Sequence, residues 1–545
     1  MSEWWATIGQ PVAEALLSLD RHKIREALAT FPHNYYEYIK GIYERSPEHV
    51  IVETFLIVFV VYITFFKKDK PSKAAVKFTA KEIDELVDDW EPEPIIPKSY
   101  KVELDKTQPY GVVENRPDTH MKLQGIDAPV LNLATFDFLG LGSRQELKDV
   151  AIQTLTKYGC GSCGPRGFYG TIDVHEILEQ DLAQMMGTVD SITFSDSEST
   201  SSSVLPAFAK RGDLVVLDDG CNDSILVGVD LARCTVHYYK HNDMEDLERV
   251  LSGIRAADKK AGRGSDCQRR YIVTEAVFRN HGDMIDLPKV VALAKAHYFR
   301  LFLDESYSFG VLGANGRGIT EHFGVPLSDV SIVCGSLATA AAGVGGFSTG
   351  AREVVDYQRL NSAGYVFSAS APPFTSACTS EAIRIMRTEP QLFVKLRENA
   401  FLVHDVLAAG VKGVFSVSND RCSPVVHLRL LPELLAGLTS DAAKREVQRM
   451  VCDDVMTNLL SRGIAVCSPR YKTGQTLEPL PSVRVSVTAI HDSKELKDAC
   501  SVIAKECVRV AKSALKAIPH KAEYANGHSN GVSSGMSLRQ RKAKN

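Results

Sequence analysis

The chain has no excess of positive charge. Its 63 lysines and arginines stand against 67 aspartates and glutamates over 545 residues, a formal net charge of −4. That balance argues against a nucleic-acid binder, whose affinity rests on a basic surface. No internal repeat is present, so solenoids and propellers are set aside. Twelve cysteines are scattered along the chain, and only Cys160 and Cys163 form a close pair. No second pair at matching spacing completes a zinc set. Scattered cysteines fit a reducing compartment, where most are small buried hydrophobes. A cleaved signal peptide is not expected either: the one long apolar run starts too far in and lacks a small-residue cleavage site. The rest is ordinary for a folded protein, 44% hydrophobic and 24% charged, with length for more than one domain.

Residues 1–49 form a loosely amphipathic N-terminal segment with Trp4 and Trp5 suited to an interface, expected on the lumenal side. Residues 50–66, VIVETFLIVFVVYITFF, are almost wholly apolar. The run reads as one short transmembrane helix, or else as a buried core helix. Lys67, Lys68, Lys70, Lys73 and Lys77 follow it, which predicts a single-pass protein with the larger part cytosolic. Residues 67–110 read as a cytosolic linker holding one short acidic helix, KEIDELVDDW. Apolar runs then alternate with amphipathic helices over 111–375, predicting an α/β domain with a mainly parallel sheet covered on both faces. The pattern weakens over 376–516, read as a smaller α+β C-terminal domain that includes the strands PVVHLRL and SVRVSVT. Residues 517–545 are polar and Gly/Ser-rich, hence expected to be disordered.

Two stretches carry chemistry. LFLDES places Asp304 at the carboxyl end of a buried strand, where an open parallel sheet holds its ligands. A carboxylate there suits the protonated ring nitrogen of pyridoxal phosphate, or it caps a helix. About 30 residues on, CGSLATAAAGVGGF (334–347) is a small-residue run followed by a Gly-Gly pair. It is either a tightly packed loop or a loop that lets backbone approach a cofactor closely.

The order YGCGSCGPRGFYGTIDVHEILE, YKHNDMEDLE, IVTEAVF, DESYSFGVLGANGRG, the Gly-Gly loop, FSASAPP and RVSVTAIHD resembles the α-oxoamine synthase family over roughly residues 85–515. Those are fold-type I pyridoxal-phosphate-dependent, aminotransferase-like transferases that condense an amino acid with an acyl-CoA and lose CO2. The long motifs are most similar to the lysine-less long-chain-base branch, whose members pair with a lysine-bearing catalytic subunit at an endoplasmic-reticulum membrane. The resemblance implies that L-serine and palmitoyl-CoA condense to 3-ketosphinganine, the first step of sphingolipid biosynthesis. It also implies a small activating subunit and sphingolipid-sensing membrane regulators as partners.

Departures from the catalytic pattern matter most. With the Gly-Gly pair aligned on Gly345 and Gly346, Thr339 stands in the Schiff-base lysine slot, and no lysine occurs from 331 to 350. A threonine hydroxyl cannot form an internal aldimine. Asn222 takes the place of the ring-stacking histidine and Tyr307 that of a second histidine, which leaves Asp304 as a vestigial cofactor contact. Lys210 and Lys240 fall in surface-like positions and do not fill the gap. The resemblance further implies that Ser368 and Ser370 of FSASAPP reach the partner's cofactor phosphate, unless they are only a Ser-rich turn before a diproline. It places Cys163, Arg166, Phe168 and Tyr169 at the subunit interface and substrate entrance. There Arg166 is able to steer an anion, and Cys163 packs rather than attacks. Arg484 resembles the arginine that holds the amino-acid carboxylate. The expected role is a non-catalytic but required subunit. An active homodimeric acyltransferase and a non-enzymatic membrane scaffold with an inherited fold remain as alternatives.

Overall fold

The computed structural model describes residues 47–62, 78–90 and 111–525, except 116–117, 265–267, 419, 439 and 471–477, together with isolated residues between 33 and 44 and residue 95. The chain divides into two compact units, Met1–Glu103 and Leu104–Asn545. In the first, a helix spans Pro47–Val61 and exposes Phe55, Leu56, Val58, Phe59 and Val60. Its 15 residues rise only about 22 Å, short of a ~30 Å hydrocarbon core. Among the described residues, no helix is long and apolar enough to cross a membrane. The last part of the expected span, 63–66, lies outside the described residues, as do Trp4, Trp5 and most of the linker. The acidic linker helix is present over Ala80–Asp88, started by a capping box in which Thr79 accepts from the Glu82 N–H while Glu82 accepts from the Thr79 N–H.

In the second unit seven strands form one sheet: β1 (Asp190–Phe194), β2 (Leu214–Asp218), β3 (Thr235–Tyr239), β4 (Arg270–Glu275), β5 (Arg300–Asp304), β6 (Ile332–Ser336) and β7 (Gly346–Gly350). Their spatial order is β1-β7-β6-β5-β4-β2-β3. β3, β2, β4, β5 and β6 run parallel, while β7 is antiparallel to both neighbours. Every residue of β2 and of β4 is buried, as expected for central strands covered on both faces. β7, sequence GFSTG, has too little apolar character to read as a strand on its own. The covering helices include α1 (Gln145–Tyr158), α2 (Asp173–Met186), α3 (Glu198–Phe208), α4 (Asp223–Ala232), α5 (Met244–Ala261) and α6 (Leu287–His297). Side-chain caps set several starts: Asp243 accepts from the Asp246 N–H and Asp286 from the Lys289 N–H.

Two hydrophobic cores follow. The first lies around the seven-stranded sheet. It includes Ala382, Ile383, Ile385 and Met386 of α7 (Pro373–Thr388), so the large domain extends past the expected boundary at 375. The second core joins α8 (Gln391–Gly410), β8 (Phe415–Val417), β9 (Val425–Leu430), α9 (Asp441–Leu460), β10 (Val483–Ser486) and α10 (Ser493–Ala525) with Leu131 and Leu133. β8, β9 and β10 make an antiparallel sheet that contains both strands expected there. The helix α10 runs past residue 517 to Ala525, into the segment expected to be disordered, and residues 526–545 lie outside the described residues.

Candidate functional site

β4, β5 and β6 end at one edge of the sheet. There Asp304 stands in register with Glu275 on one side and Cys334 on the other. Asp304 is 3% exposed. One carboxylate oxygen accepts from the Ser201 hydroxyl at 2.8 Å and the other from the Ser306 N–H at 2.9 Å. Glu275, 1% exposed, accepts from the Asn222 N–H at 2.7 Å and the Arg279 N–H at 3.1 Å. Burial first, then the neighbouring Asp304 charge, pushes the Glu275 carboxyl up to about 8. The adjacent Glu305 is pushed up to about 7, chiefly by burial, while accepting from the Ser308 hydroxyl and the Ile319 N–H. Neither glutamate figured among the expected site residues. The signal was a carboxylate inside the otherwise apolar run RYIVTEAVF and a second one beside the strand-end Asp304.

Asn222 caps α4: its side-chain oxygen accepts from the Ile225 N–H at 3.2 Å. Its position and its polar atom are thereby assigned to the helix start. Thr339 is buried in the loop after β6, with its hydroxyl donating to the Ser306 carbonyl at 2.9 Å. Ser306 therefore bridges Thr339 and Asp304. The loop closes on itself through Leu337 N–H to Gly345 O at 2.9 Å and Gly343 N–H to Leu337 O at 2.8 Å. Small residues are required here. Gly345 has φ +102°, and a Cβ on it would meet the Phe194 carbonyl at 2.3 Å. Tyr307 packs edge-on against Phe136, with ring centroids 5.0 Å apart. Lys210 and Lys240 are exposed, as expected, and Lys210 approaches the Tyr357 hydroxyl at 3.4 Å.

These residues do not fit an anchored pyridoxal phosphate. The loop offers a hydroxyl where an amine is required, and Asn222 is a helix cap rather than a ring platform.

The two other motif segments meet each other. The Ser370 N–H donates to the Gly164 carbonyl at 2.9 Å, and the Ser370 hydroxyl bonds to Ser162 Oγ at 2.6 Å and to the Gly170 carbonyl. Ser368 donates to the Gly364 carbonyl and lies 3.3 Å from Ser195 Oγ. Arg166 corrects an expectation. Instead of facing an entrance it is buried, with a two-pronged bond to Glu179 at 2.8 and 3.1 Å and further bonds to Thr193 and Thr171. Its donors are committed within the chain and cannot steer an incoming anion. Phe168, Tyr169 and Phe367 point the other way, 65%, 104% and 82% exposed, and Cys163 is exposed with them. Cys163 and Tyr169 both adopt positive φ, 57° and 64°, so the turn itself carries backbone strain.

Arg484 lies apart from this cluster on β10. Its guanidinium stacks over Phe136 at 4.2 Å and donates to the Ala134 carbonyl at 3.3 Å. It lines a largely apolar cavity of about 350 Å³ with Leu123, Met456 and Cys467, and neither Asp304 nor Thr339 lines that cavity.

Residues 128–503 match the family model "Aminotransferase class I and II". The chain is 34% identical to serine palmitoyltransferase 1 of Dictyostelium discoideum over 459 residues, covering 84% of this chain and 93% of that one. It is 42% identical to long chain base biosynthesis protein 1 of Arabidopsis thaliana over 382 residues, covering 70% and 77%. Among solved structures it is similar to a serine palmitoyltransferase with a pyridoxal phosphate internal aldimine, with a TM-score of 0.64 at 26% identity and coverage of 75% of this chain and 95% of that one. A serine palmitoyltransferase from S. paucimobilis with bound PLP–myriocin aldimine matches equally well, at TM-score 0.64 and 25% identity over 74% and 93%.

Proposed function

The chain belongs to the class I and II aminotransferase family, in the group of serine palmitoyltransferase 1 and the long chain base biosynthesis 1 proteins, and we propose from that premise that it is the non-catalytic but required subunit of a serine palmitoyltransferase. The enzyme condenses L-serine with palmitoyl-CoA to 3-ketosphinganine. The observation that carries the reading is Thr339: a hydroxyl bonded to the Ser306 carbonyl stands where the chemistry requires a lysine amine. Pyridoxal phosphate supplies the electron sink for the condensation, and it belongs to the lysine-bearing partner subunit. This chain's own residues hold a surface. Arg166 and Glu179 brace the Cys160–Tyr169 turn from below. Ser370 ties that turn to 367–371, and Phe168, Tyr169 and Phe367 are presented for burial against the partner. The apolar residues 50–66 with their lysine flank support an anchor in the endoplasmic-reticulum membrane, with the fold on the cytosolic side. A small activating subunit and sphingolipid-sensing membrane proteins complete the assembly in this reading.

The test is spectroscopic. The full chain is purified alone and with its partner, and each sample is scanned after addition of pyridoxal phosphate. A Schiff-base band near the visible edge is expected only when the partner is present. Its appearance in the isolated chain would overturn the assignment.

A further inference from the structure

A group of side chains outside that site converges at the carboxyl ends of β2, β3 and β4. Asp218 closes β2 and is fully buried. One of its oxygens accepts from the Gly220 N–H at 2.8 Å and meets Nδ1 of His241 at 2.9 Å. The other accepts from the Asn242 N–H at 2.9 Å. A carboxylate on Nδ1 places a hydrogen there and leaves Nε2 as the nitrogen whose occupant can change. Nε2 faces both oxygens of Asp283 at 3.1 Å. The His281 ring lies against the His241 ring, centroids 3.8 Å apart at 34°. Ligand atoms of His241, His281 and Asp283 all fall within 4.8 Å of one another.

The backbone is built for this approach. A tight turn brings His281 and Asp283 together around Gly282: the Gly282 and His281 N–H groups donate to the Phe278 carbonyl, and Gly282 has φ +79°. A Cβ on Gly220 would strike the His241 ring at 2.3 Å. Phe278 walls the pair edge-on at 4.4 Å. Asp219 and Asp420 add negative charge nearby, and Arg429 faces the pair from β9. Asn242, whose side-chain amide donates to Asp283 at 3.2 Å, also lines an open groove of about 690 Å³ with Asp243, Glu245, Asp286 and Asp420, against a single lysine, Lys289, which pairs with Asp286. That acidic groove is an approach route for a cation.

We propose that His241, His281 and Asp283 form a binding site for a divalent transition-metal cation, with Zn2+ the best fit, and that Asp218 is the outer carboxylate that orients His241. Two imidazole nitrogens, one carboxylate oxygen and a water make a four-coordinate set. On binding, the cation takes the Nε2 lone pair of His241 and the proton held there leaves to solvent. The cation ties the Phe278–Met284 turn to the connection between β3 and α5.

The test uses the full-length chain co-purified with its partner, stripped with a chelator and titrated with Co2+ and with Zn2+. One saturable equivalent is expected, with cobalt d–d bands and no thiolate charge-transfer band. His281→Gln and Asp283→Asn should each weaken Co2+ binding by about 100-fold or more, and Asp218→Asn by roughly 10- to 100-fold. His281→Gln removes a ring but no hydrogen bond within the chain that the fold depends on, so its metal-free melting temperature should match the parent's. Absence of saturable binding, undiminished binding in H281Q and D283N, or a thiolate band that points to the cysteines would each overturn the proposal.

Discussion

Around Asp304 the polar groups turn inward, and around Phe168 the apolar groups turn outward. Both regions come from the family's longest motifs, so their difference is informative. In the first, Asp304, Glu275, Asn222 and Thr339 bond to neighbouring backbone and hydroxyls. Little there remains to recognise a ligand. In the second, a buried ion pair and two hydroxyl bonds fix a strained turn that leaves two aromatic rings in solvent. Exposed rings on so well braced a base are the feature on which the proposed interface rests. In the first region the polar groups are tied into the chain, and in the second they hold up a surface.

The largest expected effect comes from breaking the brace. Arg166→Ala leaves Glu179 buried beside only Arg359, which reaches it at 3.4 Å. Removing one partner of a buried pair costs about 3–5 kcal/mol. Chemical denaturation of the full chain should show that loss, and Glu179→Gln in the same background should recover part of it. A loss below ~1 kcal/mol would mean the ion pair does not hold the turn.

Thr339→Lys tests the other region. The new side chain must fit a closed loop in which Ala340 and Ala341 are fully buried, and it forfeits the bond to Ser306. Overpacking of this kind costs roughly 1–3 kcal/mol. No Schiff-base absorbance should follow addition of pyridoxal phosphate, because Asn222 remains a helix cap and offers no ring platform to seat the cofactor. A band would show that the lost amine alone separates this chain from a catalytic one.

Phe168→Ala sharpens the contrast from the surface side. The ring is exposed, so the melting temperature of the isolated chain should stay within the range of an ordinary surface change, about 0.5 kcal/mol. Affinity for the partner subunit should fall by at least tenfold, about 1.4 kcal/mol. Equal affinity would remove Phe168 from the interface.

Much of this was legible before any coordinates. The strands from Asp190 to Ser336 announce themselves as apolar runs, and α2 and α6 match their sequence periods, because burial on both faces leaves a strong pattern. Asp304 was legible from its place at a strand end. β7 was not, since GFSTG gains its strand character from pairing with β1 and β6. The direction of Arg166 was equally hidden: its partner Glu179 lies on α2, one side chain among several acids on that helix, and only packing selects it. The 375 boundary failed for a similar reason, as α7 is amphipathic towards the first core and nothing in its own sequence says which core it meets.

The last effect is a slope with pH. Glu275 is raised to about 8 in the folded chain, well above its ordinary value near 4.5. The folded state therefore holds a proton that the unfolded state has released over that interval. Stability from this group is fully present below the unfolded value and falls as pH rises through the folded one. Glu275→Gln keeps the volume, still accepts one of the two N–H groups now shared between Asn222 and Arg279, and cannot ionise. Its melting temperature at pH 5 should lie below the parent's, and the parent's should fall towards and past it as pH rises to 8. Parallel curves across that range would place a fixed charge at Glu275. The inner region would then hold two adjacent charged carboxylates, and the contrast with the outward-facing turn would lose its basis.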